Sequence, residues 1–280
     1  MGRAGRASLV ATLVCVAAGF RTQGHSVRPS RMTAVASKGL EDLTAPPAKE
    51  TLRNTYWCIR HGQSTANVVS IISSDPVTGS TDHELTALGR DQARGAGVEL
   101  WKQVSDLDGS VDLSRVALYS SNFTRARETS HLVAFELQRQ AQLAAGSFEC
   151  PPLVSVGLLD GLRERDFGDL DGLDTGAYDV VWPRDLADPW DGTDGVEPVA
   201  DVCARLRGVV DILEARHDGD HLVLTAHADT IQIFQTWFGG CDVRCFSSYR
   251  FKNGEVRRCD DAGECLPCPV PMQSQAGKSC

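Results

Sequence analysis

The chain has 280 residues, 42% of them hydrophobic and 23% charged, an ordinary globular balance that can bury a sizeable core in one large domain or two small ones. Its net charge of −9 and pI near 5.3 argue against a general nucleic-acid binder, which needs a basic face to displace phosphate counterions. The charge is uneven: residues 1–40 carry Arg3, Arg6, Arg21, Arg28, Arg31 and Lys38 and no acid, so a segment of +6 precedes a remainder of −15.

In chain order, Arg3 and Arg6 precede the apolar run Leu9–Gly19. That run is too short for a membrane span of roughly 20 residues but suits a signal peptide, expected at residues 1–19. Residues 20–50 read as a transit-like or disordered linker ending near Pro46-Pro47. A signal followed by Phe20 and a transit-like stretch resembles the two-part leader of complex plastids, so a plastid is the expected compartment; a plain secretory signal, leading to secretion or the endomembrane lumen, is the alternative. No stable membrane insertion is expected after leader removal.

Tyr56–Ile59 is a short apolar strand running into the polar loop RHGQSTAN. Thr86–Trp101 carries Leu88, Ala93, Ala96, Gly97 and Leu100 at helical steps. Val116–Tyr119 is a second strand, and Arg125–Gln142, free of Gly and Pro, a second helix. Residues 157–198 are rich in Gly, Asp, Pro and Trp without periodicity, the mark of a long functional excursion. Val199, Val202, Leu206, Val209 and Leu213 line one helix face. Leu222–Thr225 is a strand ending at Ala226-His227, with a helix following through Phe238, and Tyr249–Arg257 centres on Asn253-Gly254, a hairpin signal. Alternating strands and helices imply a three-layer α/β domain over residues 51–258, followed by a Cys- and Pro-containing tail, 259–280.

Ligands of open α/β sheets bind beyond the carboxyl ends of the strands. Two such ends carry histidines: Arg60-His61-Gly62 after one strand and His227 after another. A single histidine is usually structural. An Arg beside it that can grip phosphate oxygens in bidentate fashion, and a Gly that permits close backbone approach, point instead to phosphate chemistry.

The segment YWCIRHGQSTAN resembles the RHG signature of the histidine phosphatase, or phosphoglycerate mutase-like, superfamily. LTALGRDQA (85–93) is similar to that family's LTxxGxxQA helix start, and SSNFTRARETS (120–130) to its segment bearing a second arginine, here Arg125. GLRERDFGDLDG (161–172) resembles the acid-bearing segment and contains Glu164, while LVLTAHAD (222–229) matches the strand end that supplies His227. Together these segments span roughly residues 54–258. The resemblance implies a phosphoglycerate mutase-like three-layer α/β/α sandwich with a mostly parallel central sheet. It implies His61 as nucleophile, Glu164 as proton donor and acceptor, and Arg60, Arg125 and His227 as a phosphate clamp, with Gly62, Ser64 and Asn67 as substrate-binding positions.

The chemistry explains those residue types. A phosphomonoester dianion must be neutralised before a nucleophile approaches, and preorganised donors of this kind are worth about 3 to 4 kcal/mol each. Two guanidinium groups would lower the pKa of His61 and favour its neutral ring; an adjacent phosphate would raise that of Glu164 and suit it to moving protons. No metal or other cofactor is expected, and the expected partner is a small phosphorylated substrate. The oligomeric state is left open.

Within the family, the 63 positions from Glu164 to His227 resemble the shorter spacing of phosphatases, and Gln63 stands where mutases carry Glu. Hydrolysis is therefore expected, with mutase-type phosphoryl transfer, a non-catalytic phospho-ligand binder and a secreted disulfide-stapled interaction protein as alternatives. Ala228 replaces the usual Gly after the second histidine. Arg163 and Arg165 could reduce Glu164 to an ion-paired surface residue, and Arg127 and Glu128 read as a solvated helix face. Cys58 and Cys203 are expected in the core, and Cys259, Cys265, Cys268 and Cys280 to form one or two disulfides rather than a zinc site.

Overall fold

Apolar runs long enough for a short strand, separated by helical patterns, assemble into one five-stranded sheet. The computed structural model describes residues 45–46, 51–146, 154–261 and 263–269. The expected signal peptide at 1–19, all but two residues of the linker at 20–50, and Cys280 lie outside the described residues. The strands are β1 (Thr55–Arg60), β2 (Val116–Ser120), β3 (Val156–Leu158), β4 (His221–Ala226) and β5 (Val256–Arg258), in the spatial order β3-β2-β4-β1-β5. The first four run parallel, and β5 is antiparallel to β1. The helices are α1 (Thr65–Val68), α2 (Pro76–Thr81), α3 (Ala87–Asp108), α4 (Thr124–Ala145), α5 (Tyr178–Ala187), α6 (Val199–Arg216) and α7 (Ala228–Phe238).

The two central strands are buried on both faces, which is why they read as continuous apolar runs rather than alternating ones. Tyr56, Cys58, Leu222 and Leu224 point into one core with Leu206 and Leu213 of α6 and Phe234 and Trp237 of α7. Trp57, Ile59 and Val223 point the other way, against Leu100 and Val104 of α3 and Val133 and Leu137 of α4. Helices thus cover both faces, giving the expected α/β/α layering. Cys58 and Cys203 lie in the first core as expected, and Cys259 joins them there unbridged. Among the described residues no helix is long and apolar enough to cross a membrane.

Where the structure departs from the sequence reading, local hydrogen bonds account for it. α3 starts as expected, with Thr86 Oγ1 accepting from Gly89 N–H at 3.0 Å, but runs past Trp101 because Val104 continues its buried face, and stops at Gly109, whose φ of 77° is left-handed. The excursion 157–198 is partly ordered: its first residues complete β3, and α5 forms despite Pro183 within it. The polar loop after β1 contains α1, begun by a capping box between Ser64 and Asn67.

The expected hairpin over Tyr249–Arg257 is not formed. Asn253-Gly254 does turn the chain, with Gly254 at φ 73° and Glu255 N–H donating to Lys252 O at 3.1 Å. Only the second arm becomes a strand, and it pairs with β1. The first arm's carbonyls are taken by guanidinium groups instead: Phe251 O by Arg60, and Tyr249 O and Arg250 O by Arg257.

The tail is fastened to the domain by cysteines that the sequence reading left out. Cys241 bonds to Cys265 and Cys245 to Cys268, so the bridges run from the tail to the 3₁₀ segment Val243–Ser248 and its approach rather than within the tail. The Cys241–Cys265 bridge closes a 24-residue separation, for which chain entropy gives about 3 kcal/mol. At roughly 2 to 4 °C per kcal/mol for a domain of this size, dithiothreitol or the double substitution Cys265→Ser/Cys268→Ser is expected to lower Tm by roughly 6 to 12 °C. A melting temperature indifferent to reductant would show that the bridges add no stability.

Candidate active site

Parallel pairing of β1 with β4 sets Arg60 opposite Ala226, and His61 N–H then donates to Ala226 O at 3.0 Å. His61 and His227 therefore leave adjacent strands side by side, with ring centroids 5.2 Å apart. Gly62 is needed for backbone packing: a Cβ there would overlap the carbonyl of Gly89, and its N–H is committed to Thr129 Oγ1 at 3.0 Å. It is absent from the residues lining the cleft, and the contacts it makes are those of packing.

The hydrogen bonds of His61 determine its tautomer. Nδ1 lies 2.7 Å from Gly62 O, which can only accept, so Nδ1 carries the proton. Arg125 Nε, which can only donate, lies 3.2 Å from Nε2, so Nε2 presents its lone pair. Burial first, then the charges of Arg125 and Arg60, hold the pKa of His61 well below the usual histidine value. The guanidinium effect expected from sequence is present, but it is second to desolvation.

Arg125 also donates to Ser73 O at 2.8 Å and to Ser73 Oγ at 3.2 Å, and burial brings its pKa down to about 10. Arg60 donates through Nη1 to Phe251 O at 2.7 Å, while its buried Nε has no partner among the described residues. His227 Nε2 lies 2.9 Å from Ser121 Oγ, which already accepts from Phe123 N–H. His227 Nδ1 has no partner among the described residues. Burial and neighbouring positive charge hold His227 neutral too.

Glu164 is buried, and its carboxyl is pushed above the usual carboxylate range by desolvation, against the opposing charges of Arg125 and Arg60. The elevation thus precedes any bound phosphate. Its flanking arginines do not neutralise it. Arg165 is fully buried and grips Asp185 with two bonds of 2.7 Å, while only its backbone N–H reaches Glu164 Oε1, at 3.0 Å. Arg163 pairs with Glu197 at 2.9 Å. Thr230 Oγ1 adds a bond of 3.3 Å to the same Oε1, so Oε2 is the oxygen these bonds leave open. Arg127 and Glu128 are likewise engaged, with Ser80 O and Leu85 N–H, rather than forming a solvated face.

These groups line a cleft of about 140 Å³. Arg60, His61, Arg125 and Glu164 share its wall with Ser64 and Asn67, which also cap each other in α1. His227 lies fully buried behind His61 rather than on the wall. Sequence reasoning missed Ser73, Tyr178, Trp182, Gln232 and Arg250. Tyr178 and Trp182 fall in the stretch flagged as a functional excursion, a partial signal; nothing in the sequence singled out Ser73, Gln232 or Arg250.

Residues 56–265 match the sequence model of the histidine phosphatase superfamily (branch 1). A 2,3-bisphosphoglycerate-dependent phosphoglycerate mutase of Methylorubrum extorquens (strain PA1) is 27% identical over 202 residues, 70% of this chain and 84% of the relative. The mutase of that name from Afipia carboxidovorans is 29% identical over 181 residues, 62% and 75% of the two chains. Among solved structures, a mycobacterial glucosyl-3-phosphoglycerate phosphatase with VO3 superposes with a TM-score of 0.53 at 24% identity, covering 72% of this chain and 90% of its own. The phosphoserine phosphatase of Entamoeba histolytica with 3-phosphoglyceric acid gives 0.51 at 19%, covering 72% and 88%. The two structures share the fold.

The Arg165–Asp185 pair ties the segment carrying Glu164 to α5. Removing one partner of a buried ion pair costs about 3 to 5 kcal/mol because the other charge is stranded. Asp185→Ala is expected to lower unfolding free energy by that amount in urea titration; a loss below about 1 kcal/mol would mean that Asp229, 3.7 Å from Arg165, satisfies the charge alone.

Proposed function

The chain belongs to the histidine phosphatase superfamily (branch 1), and from that premise we propose that it hydrolyses small phosphomonoesters through a phosphohistidine on His61. The observation that carries this reading is the unprotonated Nε2 of His61, held by a hydrogen bond from Arg125 Nε–H in a cleft whose wall also holds a carboxyl with raised pKa, Glu164.

In the first step Arg125 Nε–H passes from Nε2 to a phosphoryl oxygen, the freed Nε2 lone pair attacks phosphorus, the Nε2–P bond forms and the P–O bond to the leaving group breaks. Glu164 gives its proton to the departing oxygen. Arg60 and Arg125 neutralise the phosphoryl oxygens as charge builds on them. The Nδ1–H bond to Gly62 O stabilises the ring as it becomes cationic. In the second step water attacks phosphorus, Glu164 takes its proton, and the P–N bond breaks, returning the lone pair to Nε2. These steps use protein groups and water. A cleft of about 140 Å³, below the roughly 300 to 1,000 Å³ typical of drug-sized ligands, favours a phosphoryl group on a small carrier.

The mutase names of the sequence relatives support a second reading, in which the phosphoryl group returns to the substrate rather than to water. Against it stand Gln63 and the short span from Glu164 to His227, which is occupied by α5, α6, short 3₁₀ turns and β4. Isomerisation of 3-phosphoglycerate without net phosphate release would decide for the mutase.

Phosphate release from para-nitrophenyl phosphate and small sugar phosphates is expected to be unchanged by EDTA. It should fall at least a thousandfold in His61→Ala. Near-normal turnover in that variant would sink the mechanism. Glu164→Gln should cost roughly 10²- to 10⁴-fold on alkyl phosphates and much less on para-nitrophenyl phosphate, whose leaving group needs no proton.

The pH profile of kcat/KM follows from the shifts. The first step needs neutral His61 and protonated Glu164. The lowered pKa of His61 moves the acid limb below the usual histidine range, and the raised pKa of Glu164 moves the alkaline limb above the usual carboxylate range. Glu164→Gln should remove the alkaline limb. Its survival in that variant would assign it to another group.

A further inference from the structure

The three guanidinium groups lining the cleft differ in what they hold. Arg125 is buried and Arg60 half-buried, and they are bonded to Phe251 O, His61 and Ser73. Arg250 is exposed, and among the described residues its side chain makes neither an ion pair nor a hydrogen bond. Its Cζ sits 4.0 Å from the ring centroid of Trp182, which stacks parallel on Tyr178 at 5.0 Å; Tyr178 in turn meets Phe167 edge-on at 5.0 Å. A guanidinium centred over an indole ring is held by cation–π attraction, which leaves its N–H groups available to an anion.

The backbone beneath it is fixed as well. Arg257 donates to Arg250 O and Tyr249 O, and Tyr249 Oη accepts from Leu266 N–H at 2.8 Å, in the tail stretch bridged at Cys265 and Cys268. The charge is close enough to the phosphate-side cations to be felt at Arg60. Arg250 is therefore a preoriented, uncompensated cation on the wall of the cleft.

We propose that Arg250, seated on Trp182, binds a second anionic group of the substrate, a carboxylate or a second phosphate, so that the preferred substrate is a small phosphomonoester carrying an additional negative charge. The planar fork of the guanidinium matches either anion. This assignment rests on the hydrolase reading above and adds to it a substrate class that the phosphoryl-binding residues do not specify.

The test uses matched pairs. 3-Phosphoglycerate and glycerol 3-phosphate differ in a carboxylate against a hydroxymethyl group. Fructose 1,6-bisphosphate and fructose 6-phosphate differ in a second phosphate. The wild-type chain is expected to prefer the doubly anionic member of at least one pair in kcat/KM. Arg250→Ala should reduce that preference at least tenfold, whatever its absolute rate, and Arg250→Lys, which keeps the charge but loses the fork and the stacking, should reduce it less. The pair that responds identifies the anion.

The same ratios are to be read as affinities by calorimetry on His61→Ala protein, which needs no turnover. If the wild-type chain releases phosphate from none of the four, the hydrolase reading fails while the affinity ratio still decides the role of Arg250. A wild-type protein without preference in either pair, or a preference unchanged in Arg250→Ala, overturns the proposal.

Discussion

The cleft depends on a guanidinium set against an imidazole. Arg125 Nε donates to His61 Nε2, and that one contact aligns the ring, fixes Nε2 as the unprotonated nitrogen and disfavours a second proton. It works only because the opposite nitrogen is tied to a carbonyl acceptor, Gly62 O. Gly62 can offer that carbonyl because its bare Cα lies against Gly89 at the start of α3. A packing requirement between a loop and a helix thus ends as the choice of tautomer at a reactive nitrogen.

Concentrating these groups out of water is costly, and the neighbouring residues distribute the cost. Burial lowers the pKa of Arg60 and Arg125 and raises that of Glu164, while Asp229 beneath them is pushed up to about 7 by desolvation and by the Glu164 charge. Each group is destabilised in its charged form, and the cations and carboxyls partly relieve one another. A phosphate dianion would favour both arginines and keep the proton on Glu164, so binding and the acid role reinforce each other. Arg165 links this cluster to the scaffold: one side chain holds Asp185 on α5, Glu197 O ahead of α6 and, at longer range, Asp229 on α7, while its N–H holds Glu164.

Much of this was legible in the sequence because the strand ends and the motifs coincide. The apolar runs at Tyr56–Ile59 and Leu222–Thr225 locate β1 and β4 within a residue or two, and pairing alone then brings His61 beside His227. Arg125 and Glu164 were identifiable only by resemblance, since no periodicity marks them. The packing of Gly62 against α3 was not legible, because a glycine next to a histidine looks the same whether it admits a ligand or a helix. The hairpin signal at Asn253-Gly254 specified a turn but not its partner, and long-range guanidinium bonds to the first arm's carbonyls have no local signature. Arg250 and Trp182 lie 68 positions apart in irregular sequence, so their stacking could not be seen before the fold.

The charge distribution bears on how an acidic chain takes an anionic substrate. Residues beyond the basic first 40 sum to −15, and surface charge alone would repel a phosphomonoester. Exposed charges are screened within about 8 Å at physiological ionic strength, whereas buried ones are screened far less. At the cleft Arg125 is buried and Arg60 half-buried, and desolvation lowers the pKa of both. An exposed cation at its wall, such as Arg250, is the group through which the surface field and the interior field meet.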